Sequence, residues 1–219
     1  MSIPEVLDTT NITNVENAIR DFLNNSGAFD DKKVIHSPRA VGDIAQEIVG
    51  ENLGAFFAKN LVKDCDDSFA RRAMADMAFS DYFDNYFVVD MKTHNKDTSF
   101  NMPNLISVER ISRFYESDTN FFMILLAEYS TLSDRIRFDN VRFAPIEHLK
   151  WDCLTIGALG WGQIQIANAN KVIIDNTISR KTWMLSLCDE LDIFYPKEIE
   201  KIDKRIAKFK KVREFWENK

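Results

Sequence analysis

The chain has 219 residues, 45% of them hydrophobic and 28% charged, with few Gly and Pro, which suits one fairly large globular domain with a real core. No apolar run is long enough to cross a membrane, and MSIPEVLDTTNITN lacks the basic and apolar regions of a secretion signal, so a cytoplasmic protein without a membrane partner is expected. A net charge of −6 argues mildly against a nucleic-acid partner, although the distribution of charge decides that question and not its sum.

In chain order, residues 1–36 form a polar, Asn-rich segment with one helical candidate at 15–23. Val41, Ile44, Ala45, Ile48, Val49 and Leu53 recur at helical spacing and predict a helix over 41–63, with a break near Gly50 or Gly54. RRAMADMAFSDYFDNYFVVDMKTHN reads as two strands joined by a turn at SDYFDN. In LISVERISRFYES the spacing of Leu105, Val108, Ile111 and Tyr115 predicts a helix capped by Asn104. NFFMILLAEY reads as a fully buried strand, and strand signals continue through DRIRFDNVRFAPIEHL and GWGQIQIANANKVII. Ser179 suits the cap of a helix running to about Phe194, and Pro196 opens another with acids early and lysines late. The expected fold is α/β, a mixed sheet flanked by helices, in one domain over 1–219. Cys65, Cys153 and Cys188 are far apart and form no CxxC pair, so buried apolar roles are expected for them.

YFVVDMKTHN carries the chemistry. Side chains alternate along a strand, so Asp90 and Lys92 share a face, roughly 6–7 Å apart at the backbone. Asp76 precedes Asp90 by fourteen residues, and the intervening turn folds its strand back alongside. Two carboxylates then converge near one lysine, an arrangement suited to Mg²⁺, which takes one or two protein carboxylates and keeps several waters. Lys92 would orient or help deprotonate an attacking water. Against this stands a structural ion pair between Asp90 and Lys92 at a strand end. Asp81 and Asp84 compete with Asp76, but both fall in the turn, where aspartate favours local backbone hydrogen bonds.

ADMAF, VVDMKTHN and MPNLIS together resemble the active-site region of the PD-(D/E)XK nucleases, in particular the HincII and EcoRV group of type II restriction endonucleases. GWGQIQI, SRKTW and IDKRIAKFKK resemble later elements of that group in the same order, from about Ser37 onward. The resemblance implies a restriction-endonuclease-like fold with Asp76 and Asp90 as Mg²⁺ ligands and Lys92 as the catalytic lysine. An acid of the preceding helix, Glu47 or Asp43, would join them. Ala75 stands where the superfamily's name places proline. The implied activity is Mg²⁺-dependent hydrolysis of double-stranded DNA at a palindrome by a homodimer, with a blunt central cut. A structure-specific repair or recombination nuclease of the same superfamily, and a non-catalytic DNA-binding protein, are the alternatives.

In GQIQIANANK, Gln163 and Gln165 share one face of a strand and Ile164 and Ile166 the other. By the resemblance this region faces the major groove. Gln163, Gln165, Asn168 and Asn170 are amides suited to adenine, so an A·T-rich site is expected. Thr93, His94, Asn95 and Lys96 follow the Asp90 strand and are expected to reach phosphates; by the resemblance, Asn101 and Asn104 in the loop beyond lie in a region that approaches the DNA.

Overall fold

The computed structural model describes residues 3–65, 75–132 and 135–219. Its strands are β1 (Asp64–Cys65), β2 (Met77–Ser80), β3 (Tyr86–Asn95), β4 (Asn104–Ser107), β5 (Asn120–Thr131), β6 (Ile136–Pro145), β7 (Leu154–Gly157) and β8 (Gln163–Ile166). The α-helices are α1 (Thr9–Asn25), α2 (Lys32–Ile35), α3 (Pro38–Asn52), α4 (Val108–Phe114) and α5 (Arg180–Glu217). Residues 71–74, read with the first strand of the hairpin, lie outside the described residues.

A mixed sheet runs in the order β1-β2-β3-β5-β6, with β3 and β5 parallel and the other neighbours antiparallel. Its central strands are buried on both faces, which explains the unbroken apolar run of β5. Phe87, Val89 and Met91 of β3 join Met123 and Leu125 of β5 in one core, with Val15 and Ile19 of α1 and Val41, Ala45 and Val49 of α3. Val88 joins Phe122, Ile124 and Leu126 in the other, with α4, the start of α5 and the antiparallel sheet β4-β8-β7. The α/β class and the mixed sheet flanked by helices are thus as expected.

Residues 1–36 hold more than a polar segment. Val15, Ile19 and Leu23 of α1 are buried, and the helix covers the edge strand β6. There Asn24 bonds both the N–H and the carbonyl of Phe138, each at 2.9 Å, and Glu16 accepts the Phe143 N–H at 2.8 Å. These side chains satisfy backbone groups that an edge strand otherwise leaves open.

Several element boundaries differ from the expectation. Ser37 caps α3, with Pro38 in its first turn, and the helix stops at Asn52. A 3₁₀ turn, Leu53–Phe56, follows, so the helix breaks between Gly50 and Gly54 as expected, but residues 57–63 are not helical. Asn104 begins strand β4 and caps no helix; Ser107 caps α4 by accepting the Arg110 N–H. Leu105 and Ile106 are both buried because β4 lies between β8 and α4, a context that helical spacing cannot reveal. Helix α5 runs through Pro196 without a second start. A proline costs one ladder hydrogen bond there, and the helix continues on either side. Cys153 is buried, but Cys65 on the short edge strand and Cys188 on the outer side of α5 are exposed, contrary to expectation.

The start of α5 is fixed by charge and aromatic contact. Ser179 caps it as expected, and Arg180 pairs with the buried Glu147 at 3.1 Å while lying 4.1 Å above the Tyr115 ring. Tyr115 donates its hydroxyl to the other Glu147 oxygen at 2.5 Å. Burial, with Glu147 beside it, holds the Tyr115 phenol well above its ordinary range, so the pair stays a tyrosine donating to a carboxylate.

Candidate functional site

The hairpin brings the expected acids to one edge of β3. β2 pairs with β3 from Met77 opposite Val89 to Ser80 opposite Tyr86, and among the described residues no strand continues this pairing along the second half of β3. Asp76 stands at the point where β2 ends. Its N–H bonds the Val89 carbonyl at 3.0 Å, and its carboxylate Oδ2 accepts the Met91 N–H at 2.8 Å. The side chain thus occupies the place that a further residue of β2 would have filled, which holds it beside Asp90 and Lys92.

On β3 itself, Lys92 Nζ lies 2.6 Å from Asp90 Oδ1. Asp90 is 4% exposed, and its Oδ2 is buried with no hydrogen-bond partner among the described residues. Burial pushes the Asp90 carboxyl up to about 7; Lys92 opposes that shift and Asp76 adds to it. Asp76 is raised by burial as well, with Lys92 and the Met91 N–H opposing. Each carboxyl feels the same lysine, so the three groups form one electrostatic unit carrying two acids and a single cation.

Asp81 and Asp84 are committed elsewhere. Asp81 accepts the N–H groups of Phe83 at 2.8 Å and Asn85 at 2.9 Å, and the Asn85 amide at 2.7 Å. Asp84 takes a positive φ of 58° in the turn and pairs with Lys63 at 2.8 Å. Both are turn residues, as their position suggested.

Helix α3 supplies the opposite wall of an open cleft of about 650 Å³ lined by Asp43, Gln46, Glu47, Gly50, Glu51 and Asp76. Asp43 and Glu47 therefore face the same space as Asp76, and Asp43 lies 3.7 Å from Arg39. The residue that touches Asp76 is Gln46, whose amide donates to Asp76 Oδ1 at 2.9 Å. Sequence reasoning looked for an acid on this helix and passed over the neighbouring amide; its only signal was one position's displacement from Glu47. Gly42 lets α3 approach β3 closely, since a Cβ there would sit 3.2 Å from Thr93 Oγ1.

As for a metal, no group of three or more His, Cys, Asp or Glu side chains able to hold one occurs among the described residues. What the chain offers is two carboxylates with raised proton affinity and one oxygen without a partner. That donor set fits Mg²⁺, which is content with few protein oxygens and retains water, and not zinc, which wants nitrogen or sulfur.

The residues expected to meet DNA divide into two sets. Gln163 and Gln165 alternate with the buried Ile164 and Ile166 on β8, as predicted. Gln165 donates to Asn104 across the β4-β8 pair at 2.5 Å, so these two amides act as one surface unit. Thr93 is half-buried, and Lys96 is half-exposed with Asp139 at 3.6 Å.

His94 is different: it is 0% exposed, and its Nε2 meets Asn170 Oδ1 at 2.8 Å while Nδ1 lies 3.4 Å from the Asn101 amide. A buried, doubly engaged imidazole does not touch a phosphate, and its expected role is corrected accordingly. The reason is the parallel pairing of β3 with β5 as far as Asn95 and Tyr129, which keeps residue 94 inside the sheet. Asn170 also donates to the Thr98 carbonyl at 2.9 Å, Asn168 accepts the Asn170 N–H at 3.0 Å, and Asn95 accepts the Asp97 N–H at 2.8 Å. These amides tie the loop after β3 to the turn after β8. β8 is also shorter than the predicted strand, because Asn168 turns the chain into a 3₁₀ segment, Ala169–Lys171.

Compared with known proteins, the chain matches no family model, and no curated protein matches it.

Proposed function

We propose that the chain is a Mg²⁺-dependent nuclease of the PD-(D/E)XK kind, with the corresponding restriction-endonuclease-like fold, acting as a homodimer on a palindromic duplex. The observation that carries this reading is the buried Asp90 carboxylate with one oxygen on Lys92 and the other without a partner among the described residues, beside Asp76. A structural ion pair would be expected to satisfy both oxygens, because a half-satisfied buried charge is costly.

In this reading Asp76 and Asp90 would hold the metal, with Asp43 or Glu47 on the wall of the cleft that Asp76 also lines. The bound ion would neutralise charge developing on the scissile phosphate. Met91 N–H and Gln46 fix the Asp76 carboxylate, so little reorientation is needed when the site is used. Lys92 gives up its contact with Asp90 and presents its ammonium to the attacking water, which it orients for in-line displacement. As water adds to phosphorus the bond to the 3′-oxygen breaks; the water's proton passes to solvent and the departing oxygen takes one up from it, giving a 5′-phosphate and a 3′-hydroxyl.

The paired amides Gln165 and Asn104, with Gln163 beside them, form the surface proposed to read base edges. Amides suit adenine, which supports an A·T-rich site; a blunt central cut is what the resemblance to the HincII and EcoRV group implies. Replacing Lys92 by Ala tests the mechanism: cleavage with Mg²⁺ is lost while duplex binding in Ca²⁺ persists. Unaltered cleavage would remove it.

A further inference from the structure

Helix α5 has 38 residues, yet its buried ones are Trp183 and Leu187 near the start, and residues 201–219 are exposed throughout. At 1.5 Å per residue that exposed stretch extends roughly 28 Å. A helix of this length gains most of its stability from packing, so a face that is apolar and uncovered calls for an occupant.

The face has a repeat. Tyr195, Ile199, Ile202, Ile206 and Phe209 follow one another at alternating steps of four and three, and Trp216 continues the series after Arg213. They are 39%, 61%, 48%, 50%, 67% and 63% exposed in that order of naming, with Arg213 also exposed. A strict four-three alternation averages 3.5 residues per turn, the period of a seam that faces a second helix. We propose that two copies of this chain pair antiparallel through the seam.

The flanking charges choose both partner and direction. Glu198 and Glu200 are paired within the helix, with Lys201 and Lys204 at 2.6 Å each, so Asp203, Arg205 and Lys210 are the flanking charges left to choose a direction. With Ile206 opposite the partner's Phe209 and Ile199 opposite the partner's Trp216, Ile202 meets the partner's Arg213 and Asp203 falls beside the partner's Lys210. Each pair occurs twice by the two-fold symmetry. In a parallel pair Glu198 would face the partner's Asp203, and Arg205 the partner's Lys210, four like-charge contacts in all. Side-chain size agrees, because the antiparallel register sets Phe209 and Trp216 each against an isoleucine, whereas the parallel one stacks each on itself; Tyr195 stays on the globular body, its hydroxyl donating to the Trp161 carbonyl at 2.8 Å.

The pairing rests on the seam and its charges, and it stands whether or not the chain cleaves DNA. Sedimentation of the full chain at tens of micromolar tests it. The wild type sediments as a dimer, and Ile202→Asp with Ile206→Asp yields a monomer whose circular dichroism and melting of the globular body are unchanged. Asp203→Lys alone and Lys210→Asp alone each weaken the dimer at least tenfold, while the double exchange restores it. A parallel pair would instead be tightened by Asp203→Lys, which would overturn the assignment. A wild-type monomer would overturn it as well, including one that binds an unrelated duplex through the basic half of α5. So would a dimer that survives both seam aspartates.

Discussion

Lys92 Nζ lies 2.6 Å from Asp90 Oδ1, while Asp90 Oδ2, on the same buried carboxylate, has no hydrogen-bond partner among the described residues. The lysine therefore compensates only part of the cost of burying the acid, and Asp76 nearby adds a second carboxylate to the same field. Such an arrangement stabilises a folded chain poorly. On the proposed function, its value lies in a cation that the two acids would hold.

The first consequence concerns pH. Asp90 is raised from 3.8 to about 7 in the folded chain. Between those values the unfolded chain loses the proton and the folded chain keeps it, so metal-free stability falls as pH rises through that window and levels off above it. Asp76, shifted in the same direction, adds to the fall. The total is on the order of a few kcal/mol. Urea titrations in chelator from pH 4 to 8 should follow this slope for the wild type, and Asp90→Asn should flatten most of it. A wild type whose stability rises with pH across the window contradicts the burial argument.

Metal binding should mirror this. Below about pH 7 a proton competes for Asp90, so the apparent affinity for Mg²⁺ or Ca²⁺ drops about tenfold per pH unit and becomes flat above. Calorimetry at two pH values in buffers of different ionisation enthalpy reads the proton released on binding. Asp90→Asn should remove both the release and the rise in melting temperature on adding the metal.

Lys92→Ala separates catalysis from stability. Without the ammonium the Asp90 carboxyl keeps its proton to a higher pH, because the group that lowers it is gone. The variant should fold normally at pH 5, and its metal-free form should lose stability over a window extending to higher pH than in the wild type. Cleavage should fall by roughly 10²–10³, the usual cost of removing one charged group aimed at the reacting atoms.

Gly157→Ala probes the reading surface. A Cβ at 157 would stand 2.6 Å from Gln165 Oε1, so the amide must swing away from Asn104. The atom in the way is the end of a flexible side chain, so melting should shift little. The preference among cognate and near-cognate sites should change, measured as the ratio of cleavage rates. Identical ratios would show that the Gln165–Asn104 pair reads nothing.

His94→Ala is expected to act through structure. It would remove a buried ring and leave Asn170 without its 2.8 Å partner, at a cost of about 2–5 kcal/mol by the usual range for a cavity plus an unpaired polar group. Binding measured on the remaining folded fraction should show an unchanged salt slope, because no phosphate contact is lost. A slope reduced by about one would restore His94 to the interface.

The strands and acids were readable in the sequence because local rules decide them. Alternation placed Asp90 and Lys92 on one face, and turn chemistry assigned Asp81 and Asp84 to SDYFDN. Gln163 and Gln165 followed from the same alternation. What escaped was set by distant partners. Leu105, with Val108, Ile111 and Tyr115, mimics one flank of a helix, but β8 recruits it to a sheet. His94 reads as the next surface residue after a charged pair, yet the continued pairing of β3 with β5 buries it. Gln46 was invisible because only the fold places it against Asp76. Pro196 signals a helix start by its own chemistry, and continuity of α5 on both sides outweighs that signal.

The central claim is that Asp76, Asp90 and Lys92 form a phosphodiester-cleaving site. The most direct test is digestion of a plasmid of known sequence with Mg²⁺, followed by mapping of the ends. Discrete fragments with blunt 5′-phosphorylated ends at one A·T-rich palindrome, lost in Asp90→Asn and Lys92→Ala, are the predicted result. DNA left intact by the wild type under these conditions, or cleaved equally by the two variants, would contradict it.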